Sequence, residues 1–422
     1  MNATKKPSEF GQRLNLTSIK AFDRFNVPLF RLRHLSAIAA CSCRAFVLMA
    51  VVVLMPVPAL AQSKANNLVS LNQSCMQALN RSDGTTASRD CVRAVELAAE
   101  NPSVGPQILA QAFDNMGDLQ LALGQNAQAE GNYRKSLTLR EKANGKDSAE
   151  VAKSLEAIGN TLMRGGKLTE ANALFLRSLA IREKTFGVQS REVANSLHSL
   201  GLWAMASNKP NDAEGFFRQA YVIREKALPA NDPLIGRTLS NVAVAVQAAR
   251  GVEAAAAFYE QALKLQESAV GIGDVSLTDT LESLARVAQA RGKLQDSEVY
   301  WRRSLAIREA KQGADSPDVA SVLNELGLLY VAAKANAAGE DMFRRALTIR
   351  QKAFGINDLQ VAEITNNLGA LLYTVNRIGD ALPLMQHAAA ITYVALGAEN
   401  SVTKARWNNL QRAMTAMPST AK

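Results

Sequence analysis

A 42-residue repeat runs through most of this 422-residue chain and constrains its fold more than any other feature. One column, whose successive members differ by 42 in number, holds the small residues Gly117, Gly159, Gly201, Ala243, Ala285, Gly327 and Gly369. A second holds large apolar residues, namely Tyr133, Phe175, Phe217, Tyr259, Trp301, Phe343 and Met385. A fixed period of about 20–50 residues is typical of an array of stacked supersecondary units. The sequence therefore predicts an array.

Each unit of the array has the pattern of a helical hairpin. A small residue in the first helix, facing an Ala in the second, lets two antiparallel helices approach closely. The large apolar residue is expected to fill the wedge toward the other end of the hairpin. After each of the seven repeats stands a residue that favours the N-cap position of the helix that follows, namely Ser148, Ser190, Asp232, Asp274, Ser316, Asp358 and Asn400. With 5% aromatic residues and 12 prolines, the composition also argues against an all-β or disordered chain. These features predict an all-α protein.

A turn column separates the two helices of each hairpin. It holds Gly124, Gly166, Asn208, Arg250, Gly292, Lys334 and Asn376. Most of these residues tolerate the left-handed conformation that ends a helix. The column therefore predicts a short turn at the same place in every unit.

The ends of the second helices carry a family resemblance. Residues 178–187 read SLAIREKTFG, residues 304–309 read SLAIRE, and residues 346–355 read ALTIRQKAFG. These segments resemble the tetratricopeptide repeat, in the longer variety found in kinesin light chains and many bacterial proteins. A standard unit has about 34 residues, so the longer period would lengthen the helices. The resemblance implies a right-handed α-solenoid (superhelix) of antiparallel helical hairpins, whose first helices line a concave groove.

The register extends beyond the seven clear repeats. Cys75 stands one full period before Gly117, and Cys91 stands one full period before Tyr133, so a degenerate hairpin precedes them. Terminal units of an array need a face that meets water. The predicted organisation is a leader at 1–61, a capping hairpin at 62–106, seven repeats at 107–400, and a capping helix and tail at 401–422.

The leader has the order of a secretory signal. Arg44 precedes an apolar run at 45–55, which is followed by two prolines and the small-residue triplet Ala59-Leu60-Ala61. Cleavage is predicted after Ala61, which would place the protein in the periplasm or outside the cell. The alternative is a signal-anchor at 45–61 that holds the protein at the inner membrane, since extension to Ala61 approaches the length of a span.

The charge of the chain is concentrated in that leader. The formal net charge is +10, and the segment 1–61 carries eight basic and two acidic side chains, which accounts for +6 of it. The remaining charges are of both signs and interleaved. Nucleic-acid binding, which relies on clustered Lys and Arg, is therefore not expected.

Cysteine usage indicates one disulfide. Cys41 and Cys43 lie in the leader, which leaves Cys75 and Cys91 alone in the exported part. In an oxidising compartment such a pair is expected to be bridged. The alternative is two buried thiols that act as small apolar residues. In an undistorted hairpin the two columns would lie about one turn out of register, so the bridge would require the helices to slide.

Catalytic and metal-binding patterns are sparse. The chain has three histidines, His34, His198 and His387, and the last two fall in different repeats. A zinc or iron site needs several nitrogen or sulfur ligands together. No nucleophile-elbow or phosphate-loop motif stands near them. The sequence predicts no enzyme activity, no cofactor and no metal.

The resemblance places ligand contacts on the exposed stripe of the first helices. Asparagine can pair with both N–H and C=O of an extended peptide. The predicted contacts are Asn160, Asn195, His198, Asn324, Asn366 and Tyr373. The alternative is that these are ordinary polar surface residues.

A regular arginine column leaves a second question open. Arg140, Arg182, Arg224, Arg308 and Arg350 stand near the ends of the second helices. They could bind phosphate, but their position favours compensation of the helix dipole and ion pairs between repeats.

The predicted function is a protein-protein interaction scaffold that holds a peptide or protein in the groove, in the bacterial periplasm or envelope. The partner is not identified by the sequence. The alternative function is a membrane-tethered structural or assembly subunit of an envelope complex.

Overall fold

The computed structural model describes residues 57–101 and 104–416, with side chains from residue 65 onward. The predicted cleavage site at Ala61 and the leader before it lie outside the residues whose side chains are described, as does the tail at 417–422. Among the described residues, no helix combines the length and apolar character needed to cross a membrane.

The described residues form seventeen α-helices and no strand, which confirms the all-α class. Short turns join helices that pack on each other as hairpins, namely α1–α2, α3–α4, α7–α8, α9–α10, α11–α12, α13–α14 and α15–α16. One 3-10 turn, Val275–Leu277, precedes α11. The helices are α1 Val57–Asn80, α2 Gly84–Glu100, α3 Pro106–Ala122, α4 Asn126–Asn144, α5 Ala149–Arg164, α6 Leu168–Phe186, α7 Arg191–Ala206, α8 Pro210–Ala227, α9 Pro233–Arg250, α10 Val252–Val270, α11 Thr278–Ala290, α12 Leu294–Gln312, α13 Pro317–Ala332, α14 Asn336–Phe354, α15 Leu359–Thr374, α16 Ile378–Leu396 and α17 Ser401–Thr415.

All seven predicted N-caps are confirmed. Each side chain accepts a hydrogen bond from a backbone N–H two or three residues later, as Asn400 does from Val402 at 2.9 Å. The others are Ser148, Ser190, Asp232, Asp274, Ser316 and Asp358. Each cap satisfies one of the N–H groups that the first turn of a helix leaves without a partner.

The turn column is confirmed except in the fourth repeat. Six of the predicted residues have a positive φ, among them Asn208 at 55° and Lys334 at 61°. Arg250 instead ends helix α9, and the next residue, Gly251, has a φ of 86°. The prediction was wrong at Arg250 because the following glycine adopts a positive φ without steric cost, which lets the helix continue to Arg250.

The described helices fall into two compact units, divided between Ile181 and Arg182 within α6. In the first unit, Leu68, Leu97 and Leu109 belong to one buried cluster. In the second, a larger cluster includes Leu323, Phe343 and Leu368 with other residues of α13 to α17. The apolar columns of the repeat thus form the core of each unit.

The glycine column lies directly under the aromatic column. A Cβ atom built on Gly201 would stand 2.4 Å from the ring of Phe217, and one on Gly159 would stand 2.7 Å from Phe175. The ring therefore covers the glycine itself and does not fill the far end of the hairpin. The expectation for the aromatic column was wrong because the two columns face each other.

The same geometry brings Cys75 and Cys91 together. They occupy the glycine and aromatic columns of hairpin α1–α2, and their Cα atoms are 5.1 Å apart in a disulfide. The prediction that these columns lie about one turn out of register was wrong. The helices need not slide, since facing columns already have the separation that a disulfide requires.

Candidate partner-binding face

The first helices of the repeats in the second unit, α7, α9, α11, α13 and α15, present one column of side chains that is exposed on the first four helices and partly buried on α15. We call Leu202, Val244, Arg286, Leu328 and Ala370 the A-face column, because they recur at the 42-residue spacing on these first helices. Three of them are large apolar residues that remain 38%, 39% and 38% exposed, namely Leu202, Val244 and Leu328. Large apolar side chains arranged in this way in water are a feature of interaction surfaces.

Polar contacts hold neighbouring first helices side by side. The hydroxyls of Ser240 and Thr280 are 3.1 Å apart and join α9 to α11. Arg286 lies 3.6 Å from Glu325 and joins α11 to α13. Three of the five helices that carry the column, α9, α11 and α13, are therefore joined side by side.

Three predicted contact residues remain available on first helices. Asn160, in the first unit, and Asn366 and Tyr373, in the second, are partly exposed. Within the described part of the chain, their side chains make no hydrogen bond. Tyr373 also packs on the core cluster of α13 to α17. Asn366 and Tyr373 lie on α15, the same helix as Ala370.

Two other predicted contact residues accept hydrogen bonds from neighbouring helices of the protein. Asn324 is 7% exposed, and its Oδ1 accepts a hydrogen bond from Asn367 at 3.0 Å. The Oδ1 of Asn195 accepts one from Arg224 at 2.8 Å. Both amides thus connect helices, and neither is included in the binding surface proposed below.

His198 lies in a largely apolar environment on α7. Its ring centroid is 5.5 Å from that of Phe217. Burial, together with the charges of Arg224 and Arg237, lowers its pKa from 6.5 to about 4. The Nδ1 atom has no hydrogen-bond partner among the described residues. His198 is therefore neutral at neutral pH and contributes packing rather than charge.

The arginine column connects successive repeats. Arg140 on α4 donates to Asp114 on α3 and to Ser154 on α5, at 2.5 Å in both cases. Arg224 on α8 donates to Asn195 on α7 and also to Thr238 on α9, at 2.5 Å. Both guanidinium groups are buried. A buried guanidinium that is hydrogen-bonded to two neighbouring helices is a structural feature and is not accessible to phosphate.

The sequence reasoning missed the apolar members of the A-face column. The predicted contacts were asparagines, His198 and Tyr373, although Leu202, Val244 and Leu328 stand in a column that is otherwise polar or small. The presence of apolar residues in such a column was the sequence feature that could have identified this surface. Across the described residues, no group of three or more His, Cys, Asp or Glu side chains is arranged to hold a metal ion.

Comparison with known proteins agrees with the repeat pattern. One tetratricopeptide repeat family model matches residues 108–184, 150–226 and 276–338, and a second matches 319–359 and 361–401. No curated protein matches the sequence.

Several solved structures are similar. The quorum sensor NprR from B. thuringiensis is 12% identical with a TM-score of 0.58, over 77% of this chain and 87% of that chain. A signal transduction ATPase with a tetratricopeptide repeat sensor from Pyrococcus horikoshii is 14% identical with a TM-score of 0.57, over 78% of this chain and 46% of that chain. BtubC from P. vanneervenii is 23% identical with a TM-score of 0.47, over 56% of this chain and 93% of that chain. At these identities, the first two likenesses establish a shared fold.

Proposed function

The chain belongs to the tetratricopeptide repeat family, and on that basis we propose that it is a non-catalytic scaffold that binds a peptide or protein partner. The binding surface is the A-face column of the second unit, with Asn366 and Tyr373 beside it. The observation that carries the proposal is the exposure of Leu202, Val244 and Leu328 at one repeat position.

The surface favours a segment that carries apolar side chains at regular intervals. Such a segment can be a strand-like peptide or an amphipathic helix, because both present side chains periodically along one face. Arg286 lies between Val244 and Leu328 in the column, and its side chain is 51% exposed. It can donate to a carbonyl or carboxylate of the bound segment. The apolar residues supply contact area and Arg286 supplies orientation.

A peptide library tests the surface without knowledge of the natural partner. Peptides selected for binding to the exported chain are measured against the double variant Val244→Asp with Leu328→Asp. We expect at least a tenfold loss of affinity, because each substitution places a charge in the apolar contact. The matched control is Val299→Asp on α12, where an apolar residue is 64% exposed on a second helix. Equal binding to the double variant and the control would move the site away from the A-face column.

We further propose that the protein acts in the bacterial periplasm or envelope after cleavage at Ala61. The order of basic, apolar and small residues in the leader supports this, as does the pairing of Cys75 with Cys91, since disulfides persist in oxidising compartments. N-terminal sequencing of the exported protein should find Gln62 as its first residue. An intact Met1 in the membrane fraction would instead support the membrane-tethered assembly subunit.

A further inference from the structure

A row of ion pairs connects successive second helices. Arg177 on α6 donates to Glu141 on α4 at 2.8 Å. Arg303 on α12 donates in the same way to Glu267 on α10. Arg345 on α14 does so to Glu309 on α12, at 2.5 Å. In each case the arginine lies 36 residues after the glutamate, so one repeat position supplies every carboxylate and another supplies every guanidinium.

Two of these arginines also bind the loop between the repeats. Arg177 donates to the carbonyl of Lys146, and Arg303 donates to the carbonyl of Ile272, both at 3.0 Å. Each guanidinium therefore lies between a glutamate carboxylate and a loop carbonyl. We call this position, between the two acceptors, an arginine seat. Two acceptors in this arrangement match the planar fork of donors on an arginine.

One seat in the second unit has no arginine of its own. Glu183 stands at the carboxylate position, but the residue at the guanidinium position is Gln219. A cavity of about 340 Å³ opens there, lined by both residues and by Val188, which has the loop position of Lys146 and Ile272. Within the described residues, the Glu183 side chain has neither an ion pair nor a hydrogen bond. The space that an arginine fills in the other repeats is open here.

In the next repeat, another side chain of the protein satisfies the carboxylate that has no arginine. There Glu225 stands at the carboxylate position and Gln261 at the guanidinium position, so the arginine is again replaced by glutamine. The hydroxyl of Tyr221 donates to Glu225 at 2.7 Å and satisfies its carboxylate. The residue that corresponds to Tyr221 one repeat earlier is Leu179, which has no donor. Glu183 therefore lacks the internal replacement that Glu225 has.

The rest of the cavity wall suits the stem of a long side chain. Val193, Leu197, Val222 and Ile223 are apolar and line the cavity with Val188. The nearby cation, Arg218, is already paired with Glu214 at 2.8 Å and stacks on Phe258. An apolar wall that leads to a carboxylate is complementary to an arginine, whose methylene stem is apolar and whose head is cationic.

We propose that this cavity is a binding site for an arginine side chain of a partner protein, which takes the place that the chain's own arginines occupy in other repeats. The site is lined by residues of α6, α7, α8 and the loop before α7, and none of the A-face column residues is among them. The partner arginine would pair with Glu183 and donate to the loop at Val188, while its stem packs on the apolar wall. The preference is for a guanidinium, because a fork of donors can reach both acceptors at once.

The probe for this site is Nα-acetyl-arginine amide, titrated against the full exported chain and followed by ligand-observed NMR. The control probe is Nα-acetyl-citrulline amide, which has nearly the same shape and no charge. We expect the arginine probe to bind at least tenfold more tightly than the citrulline probe. Equal binding of the two probes would overturn the proposal.

Three variants locate the binding. Glu183→Gln removes the carboxylate, and Gln219→Arg supplies the missing internal arginine, so each should weaken the arginine probe at least tenfold. Gln261→Arg is the matched control, since it makes the same change one repeat later, and it should leave binding unchanged. Retained binding in Gln219→Arg or Glu183→Gln would overturn the proposal. The double variant Val244→Asp with Leu328→Asp should still bind the probe, which separates this site from the proposed function.

Discussion

Hairpins α1–α2 and α7–α8 solve the same packing problem in different ways. At the two facing columns, the first has Cys75 bonded to Cys91, and the second has Gly201 under the ring of Phe217. The same pair of positions fastens the two helices in both hairpins. The comparison teaches that the repeat keeps a place of close approach between helices, which either a covalent bond or a buried ring can occupy.

The difference follows from the surroundings of each hairpin. Hairpin α1–α2 is terminal among the described residues, and Met76 and Val92 on its helices are 44% and 40% exposed. A terminal hairpin buries less apolar surface than an internal one. Because burial supplies less stabilisation there, a cross-link contributes more to holding the helices together.

The largest effect is expected from Phe217→Ala. Phe217 is 1% exposed, so its removal leaves a cavity over Gly201 and should cost about 3–5 kcal/mol of local stability. Hydrogen exchange of α7 and α8 measures this loss directly, since repeat arrays open locally. Val222→Ala on the same helix is the control and should be nearly neutral, because Val222 is 42% exposed. Similar losses in both variants would show that the ring does not fasten the hairpin.

Replacing both Cys75 and Cys91 with alanine should destabilise α1–α2 by roughly 3 kcal/mol, the entropy of a loop of this length. Limited proteolysis should then cleave within residues 65–101, while the second unit keeps its protection. The exchange Cys75→Gly with Cys91→Phe installs the pair of the other hairpins and should recover part of the resistance. No recovery would mean that the two solutions are not interchangeable.

Gly201→Ala tests the close approach itself. The added Cβ would stand 2.4 Å from the Phe217 ring, which overpacks the hairpin, although alanine is the better helix former. We expect a net loss of about 1–2 kcal/mol in α7–α8, measured by hydrogen exchange. The natural Ala243 on α9 provides the reverse control, since Ala243→Gly should cost no more than about 1 kcal/mol through helix propensity. A stabilised Gly201→Ala would show that Phe217 moves aside easily.

At mildly acid pH, the smallest effect is a pH dependence confined to α7–α8. The pKa of His198 falls from 6.5 to about 4 through burial, so the unfolded state binds a proton that the folded state does not. Stability should therefore be complete above about pH 6.5 and should fall, by at most about 1.4 kcal/mol per pH unit, as the pH drops toward 4. The corresponding residue of α1 is Asn72, which does not titrate. Hydrogen exchange against pH should show the slope in α7, and His198→Asn should abolish it.

Much of the architecture was predictable from the sequence because it depends on local chemistry. The N-caps from Ser148 to Asn400 were predictable since a short polar side chain before a helix bonds to its own first turn. The turn residues were predictable except at Arg250, where the adjacent Gly251 competes for the same conformation. The inter-repeat role of the arginine column was favoured by its position, and Arg140 and Arg224 have that role.

The candidate site was less predictable because exposure depends on neighbouring helices. Asn324 and Asn366 stand at the same repeat position, yet one is buried and bonded to Asn367 while the other remains partly exposed. A single sequence does not distinguish them. Leu202, Val244 and Leu328 were overlooked because an apolar residue in a helix is expected to be buried.

The sequence by itself determined the repeat, its register, the helices and their caps, since each is set by residues close together in the chain. Only the tertiary structure decided which columns meet. It placed the aromatic ring on the glycine, brought Cys75 to Cys91, and opened a cavity beside Glu183. These outcomes depend on how two or three helices lie against one another, and a contact between surfaces is a property of both surfaces rather than of either sequence segment alone.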